Sequence, residues 1–132
     1  MSDVHVTRYL LANNAPLIAV VPATRIMAGV LPQGIALPAI AVTHVSTLRK
    51  NFVAETQVDW CTSRVQVTAM AGTYPQLKSV LALVRAALPR SRGVVDGVNV
   101  DAVIADIEGP DFRDDAEGLY MQSHDFIVTF NE

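Results

Sequence analysis

One segment leaves little choice of conformation. Between Thr73 and Leu88, the residues Leu77, Val80, Leu81, Val84 and Leu88 recur three and four positions apart. That spacing gathers them into one narrow apolar stripe on an α-helix and scatters them over both faces of a strand. Thr73 and Gln76 form a capping box at its start. Pro89 stops it. A helix with a single apolar stripe needs a surface to bury it against, and the neighbouring segments supply strands. Arg64 to Ala71 alternates Val65, Val67 and Ala69 with Gln66, Thr68 and Met70, the period of two that a half-buried strand requires. Ala39 to Ser46 sets Ile40, Val42 and His44 against Ala39, Ala41 and Thr43, and Tyr120 to Phe130 sets Phe126, Val128 and Phe130 on one face.

Weaker signals complete the order. Val4 to Leu11 predicts a short helix with Ser2 or Asp3 at its cap. Asn14 before Ala15 and Pro16 predicts a second one, since proline is tolerated in a first turn. Arg25 to Met27 reads as a short strand, followed by a loop at Gly29, Pro32 and Gly34. Arg90 to Gly97 is turn-rich and ends in Asp96 and Gly97, a pair suited to positive φ. Val98 to Ile107 reads as a strand whose apolar phase changes near Ala102, the mark of a bulge. The expectation is a single α+β domain spanning residues 1–132: a mostly antiparallel sheet of four to five strands, the main amphipathic helix packed on one face, and a short N-terminal helix.

Composition narrows the function. Hydrophobic residues make up 51% of the 132 and charged residues only 17%, against roughly 25% charge in an average soluble domain. No apolar run approaches the roughly 20 residues that span a bilayer, and the amino terminus lacks a signal-peptide pattern. The excess apolar surface is therefore expected in subunit contacts, not in a membrane. The net charge is −3 and basic residues are scattered, so no nucleic-acid footprint is present. Cys61, the single cysteine, cannot make an intrachain disulfide, which suits assembly in a reducing cytoplasm.

Chemistry-bearing groups do not converge. Asp111, Asp114, Asp115 and Glu117 have the wrong spacing for a calcium loop and read as a solvated turn. No metal and no cofactor is expected. His124 and Asp125 point to opposite faces of one strand. His44 lies in another strand and could meet His124 across the sheet, which leaves a small ligand-binding or enzymatic α+β domain as the alternative in a different class. His5 is expected to be solvated. No serine sits in a nucleophile elbow, and Gly93 and Gly97 open no phosphate-binding helix. The long connection from Thr47 to Thr62 carries Leu48, Arg49, Lys50, Phe52 and Trp60, aromatic and basic side chains of the kind that dominate interfaces. On the helix, Ser79, Ala82 and Ala86 make a small-residue outer face that could receive another chain.

Several stretches in order resemble the tail-completion, or tail-terminator, family of long-tailed bacteriophages. They are Ala15 to Ala19 (Ala-Pro-Leu-Ile-Ala), Arg25 to Met27, Leu31 to Gly34, Leu37 to Val42, Arg64 to Val67, Val84 to Leu88, Gly118 to Tyr120 and Ser123 to Phe126. The resemblance implies a non-enzymatic virion protein, assembled in the host bacterial cytoplasm and seated at the head-proximal end of a phage or prophage tail. It implies a homo-oligomer, a hexameric ring that forms from monomers on its template. Its partners would be the major tail tube protein, whose polymerisation the ring stops, and the head-tail connector protein that docks on it. A head-completion or neck protein of the same virion is the near alternative. In that family the long hairpin loop, here Thr47 to Thr62, would be a contact element, and the candidate interface residues read from the sequence are the eight named above, Leu48, Arg49, Lys50, Phe52, Trp60, Ser79, Ala82 and Ala86.

Overall fold

The structure, a computed structural model, describes residues 2–29, 34, 36–50, 60–88, 93–116 and 118–131. The chain forms α1 (Ser2–Ala12), α2 (Ala15–Ile18), a 3-10 turn at Ala23–Arg25, β1 (Ile26–Ala28), β2 (Ala39–Lys50) and β3 (Trp60–Ala71). α3 (Tyr74–Ala87), β4 (Gly93–Val95), β5 (Val98–Asp114) and β6 (Leu119–Asn131) follow. All six strands join one sheet in the order β1-β2-β3-β6-β5-β4. Every pairing is antiparallel except β1 with β2, which is parallel.

The helices cover one face of this sheet. Val65, Val67, Ala69 and Ala71 on β3 and His124, Phe126, Val128 and Phe130 on β6 are buried, and their chain neighbours are half-buried on the open face. α3 lays the predicted stripe on β3 and β6, with Leu77, Val80, Leu81, Val84 and the following Leu88 fully buried. Each such side chain stabilises by roughly 1.5–3 kcal/mol relative to an exposed position. Thr73 caps α3, its Oγ1 accepting from the Gln76 N–H at 3.3 Å, while Gln76 Oε1 accepts from Gly72 N. Gln76 thus reaches one residue further back than a standard capping box. Asn14 caps α2 by accepting from the Leu17 N–H at 3.1 Å. α1 packs on β1, β2 and β3 through Val4, Val6 and Leu11.

Three expectations are corrected. Among the described residues the sheet has six strands rather than four to five. The missed strand, β4, is three residues long and pairs with the start of β5 through a two-residue turn at Asp96 (φ 45°) and Gly97 (φ 83°). Two successive positive φ angles match the right-handed twist of a hairpin. Both ends of the connection from Thr47 to Thr62 are strand: β2 runs on to Lys50 and β3 starts at Trp60, while residues 51–59 lie outside the described residues. β2 crosses a bulge between His44 and Ser46 that shifts its phase. β5 likewise runs past Ile107 to Asp114, so Asp111 and Asp114 lie in a strand, not in a turn. The bulge read near Ala102 is present as a register shift between Val100 and Ala102, with further shifts at Ala105/Glu108 and Glu108/Asp111.

Candidate assembly surfaces

The outer face of α3 is the first surface. Ser79, Ala82 and Ala86 are exposed there, and they lie opposite the buried stripe because the helix turns about 100° per residue. The flank of the same helix is tied to the sheet by a polar belt. Lys78 Nζ donates to Asp111 Oδ2 at 2.8 Å and to Gln122 Oε1 at 2.6 Å, and the Tyr74 hydroxyl donates to the same Asp111 oxygen at 2.7 Å. Arg85 pairs with Glu108 at 3.1 Å, and Gln122 Nε2 donates to the Gly109 carbonyl at 2.8 Å. The hydrogen bonds from Lys78 and then Tyr74 hold the Asp111 carboxyl below its ordinary value, and Asp111 in turn raises the Lys78 ammonium. Part of the acidic cluster therefore fixes α3 on β5. The signal available in the sequence was the pair Tyr74 and Lys78, four residues apart on one helix face.

The second surface is the tip of the β2–β3 hairpin. Lys50 pairs with Trp60, Arg49 with Cys61, Leu48 with Thr62 and Thr47 with Ser63. Leu48 is 67% exposed, on the open face with Thr62. Arg49 is exposed on the opposite face and donates to the buried Cys61 Sγ at 3.3 Å. Trp60 is half-buried. Phe52 lies outside the described residues. The structure thus brings Leu48, Arg49, Lys50 and Trp60 together at one end of the sheet. Ser79, Ala82 and Ala86 form a separate patch on α3.

The open face of the sheet is the third. Its middle is polar: Thr68 and Ser123 hydroxyls lie 2.9 Å apart, and Arg64 bridges Asp106 and, at 3.2 Å, Asp125. Apolar rows flank this band, with Met70, Met121 and Phe112 in register on one side and Ile127 beside Ile104 on the other. Among the described residues no helix covers this face, and Ile104 and Phe112 are exposed on it.

No reaction centre emerges from the histidines. His44 Nδ1 lies 2.5 Å from Asp3 Oδ2. His124 stacks on Phe126 with ring centroids 4.6 Å apart. β3 separates the two, since His44 pairs with Val65 and His124 with Val67. The expected meeting across the sheet does not occur. His5, expected to be free in solvent, is exposed but hydrogen-bonds Asp96 at 2.6 Å. A cavity of about 280 Å³ beside His44 is lined by Val4, Ala28, Gly29, Val42 and Thr43, a largely apolar wall. Among the described residues no cluster of His, Cys, Asp or Glu could hold a metal ion, and no helix is long and apolar enough to cross a membrane.

Fold and surface together define a class: a small α+β domain whose distinctive features are exposed strand edges, a small-residue helix face and an uncovered sheet. The chain belongs to the family described as Tail completion protein gp17, which it matches over residues 6–130. It is a tail-completion structural protein. Among solved structures, a chain from the "Virion of native gene transfer agent (GTA) particle" superposes with a TM-score of 0.71 at 15% identity, covering 96% of this chain and 92% of that chain. At that identity the likeness is one of fold. No curated protein matches the chain.

Proposed function

We propose that the protein is the tail terminator: copies close into a ring on the finished tail tube, stop its polymerisation and present a docking surface to the head-tail connector protein. Family membership over residues 6–130 carries this reading. The role is mechanical, with no catalysis. Six copies make the ring, at the head-proximal end of the tail, and they assemble in the host bacterial cytoplasm from monomers that meet the major tail tube protein as their template. A cyclic ring needs a heterologous interface, one patch of each subunit meeting a different patch of the next. A sheet edge and the Ser79, Ala82 and Ala86 face are the patches that serve it. The tip at Leu48, Arg49, Lys50 and Trp60, together with Phe52, is the contact element for tube or connector.

Electron microscopy of the purified protein mixed with the tail tube protein from the same genome tests this. Rings of about six subunits with cyclic symmetry, seated at the ends of tubes of fixed length, are expected. Tubes that grow uncapped in its presence would exclude the terminator role and turn attention to the portal side, where a neck protein acts.

A further inference from the structure

Beneath α3 the sheet carries one polar ring that nothing satisfies. His124 lies on the helix-covered face of β6, 4% exposed, and among the described residues neither of its ring nitrogens has a hydrogen-bond partner. Buried polar groups are nearly always paired, so an exception calls for a physical reason. The ring stacks on Phe126, with centroids 4.6 Å apart. Its cross-strand neighbour is Glu108, which is in register with β6 between two register shifts, one after Ala105 and one before Asp111. Directly opposed residues of an antiparallel pair stand about 5 Å apart. An imidazole and a glutamate carboxylate can meet across that gap.

In the structure Glu108 does not use that neighbour. Its Oε1 accepts from Arg85, in the last turn of α3, at 3.1 Å and from Gln122 Nε2 at 3.5 Å. The side chains of Arg85 and Glu108 are 42% and 43% exposed, so their ion pair is of the weak, solvated kind. The other charges around His124 are engaged. Asp106 and Asp125 both pair with Arg64, and Asp111 accepts from Lys78 and Tyr74. The β3 residues on this face, Val65, Val67 and Ala69, carry no charge. Burial is the largest influence on the His124 ring and keeps it neutral into more acid solution than a free imidazole, with Glu108 opposing that effect.

We propose that protonation of His124 draws the Glu108 carboxylate from Arg85 to the imidazolium, so that acid releases the last turn of α3 from β5 while the Lys78–Asp111 contact still holds the first half of the helix. A buried imidazolium without an anion is strongly unfavourable, and pairing with Glu108 relieves that. The Arg85 guanidinium, already half in water, loses little by giving up its partner. Lys78 and Tyr74 hold the Asp111 carboxyl below its ordinary value, so their contact outlasts the Arg85 contact as pH falls. The flank of α3 therefore carries two fastenings that open at different pH.

The test follows the isotope-labelled full-length chain by NMR from about pH 8 to about pH 5, the range in which an imidazole titrates. The His124 ring and the Arg85 guanidinium resonances are expected to shift with one common midpoint, while the Lys78 ammonium signal stays in place. Glu108→Gln should lower the His124 midpoint by about one pH unit, because the opposite charge is gone, and should abolish the Arg85 response. His124→Leu should abolish the Arg85 response and leave the Glu108 carboxyl titrating on its own. An Arg85 step that survives in His124→Leu would overturn the exchange of partners, as would an unchanged His124 midpoint in Glu108→Gln. A His124 ring that stays neutral until the chain unfolds would overturn it as well.

Discussion

The carboxylate of Asp3, in the first turn of α1, lies 2.5 Å from the Nδ1 of His44 on β2 and is only 1% exposed. Its other oxygen accepts the Val4 N–H at 2.8 Å. This contact pins the start of the chain to the sheet. Burial works against ionisation of Asp3, but the hydrogen bonds from His44 and Val4 together outweigh it and hold the carboxyl below its ordinary value. Asp3→Ala leaves both donors without that partner and is expected to lower stability by about 1–3 kcal/mol. Because the folded carboxyl titrates below the unfolded value of about 3.9, its contribution is complete above that pH and disappears as pH falls through the folded value. Denaturation followed against pH should therefore be less acid-sensitive in the variant. Equal acid sensitivity in the two chains would rule the linkage out.

His124 is predicted to lower stability in the same direction of pH, but for a different reason and at higher pH. It is 4% exposed, and neither ring nitrogen has a hydrogen-bond partner among the described residues. Burial, the largest influence, pushes its pKa down, and Arg85 adds to this against the opposing charge of Glu108. The unfolded chain binds the proton more readily, so stability should fall as pH drops through about 6.5 toward the lower folded value. Replacing His124 by Leu removes an unpaired buried polar ring and should flatten this limb. Thermal melts between pH 5 and 8 decide it, and an unchanged slope in His124→Leu would refute the assignment.

Lys78 and Asp111 provide a local check on how α3 is seated. Lys78→Met removes the first of the two hydrogen bonds that lower the Asp111 pKa. The carboxyl should then titrate closer to the ordinary value of about 3.9, read by carbon NMR of the side chain. A titration identical to that of the parent chain would mean that the belt between α3 and β5 is not closed in solution.

Two substitutions on α3 separate folding from assembly. Leu81→Ala empties a fully buried site and is expected to cost roughly 2–5 kcal/mol. Ala82→Glu lies on the exposed face and should change stability by no more than about 0.5 kcal/mol, while weakening ring formation. Normal rings from the Ala82→Glu chain would remove the helix face from the interface and confine it to the strand edges.

Much of this architecture was legible because it is written in local periodicity. The α3 stripe, the alternation of β3 and β6, the Asn14 cap and the phase change near Ala102 are all consequences of one element burying one face. What was missed depends on pairing between distant segments. Thr47 to Lys50 and Glu108 to Asp114 carry few strand-favouring residues, and Pro110 argues against a strand interior. They are extended because β3 and β6 pair along them, with Pro110 tolerated beside a register shift on an outer strand. The parallel partner of β1 is equally invisible at three residues. Of the candidate interface residues, the small face of α3 could be located from helical spacing, and the structure places Ser79, Ala82 and Ala86 on it. The margins of the sheet could not, since an edge exists only once the strand order is known.

That strand order sets a sequence of events for synthesis. β6, the last of the six strands to leave the ribosome, sits between β3 and β5 at the centre of the sheet. Until it arrives, β2–β3 and β4–β5 are two separate hairpins with no shared hydrogen bonds, and α3 lacks half of its bed. High sequence separation of this kind slows folding. A chain that ends before residue 119 has no β6, and so cannot join its two hairpins into one sheet.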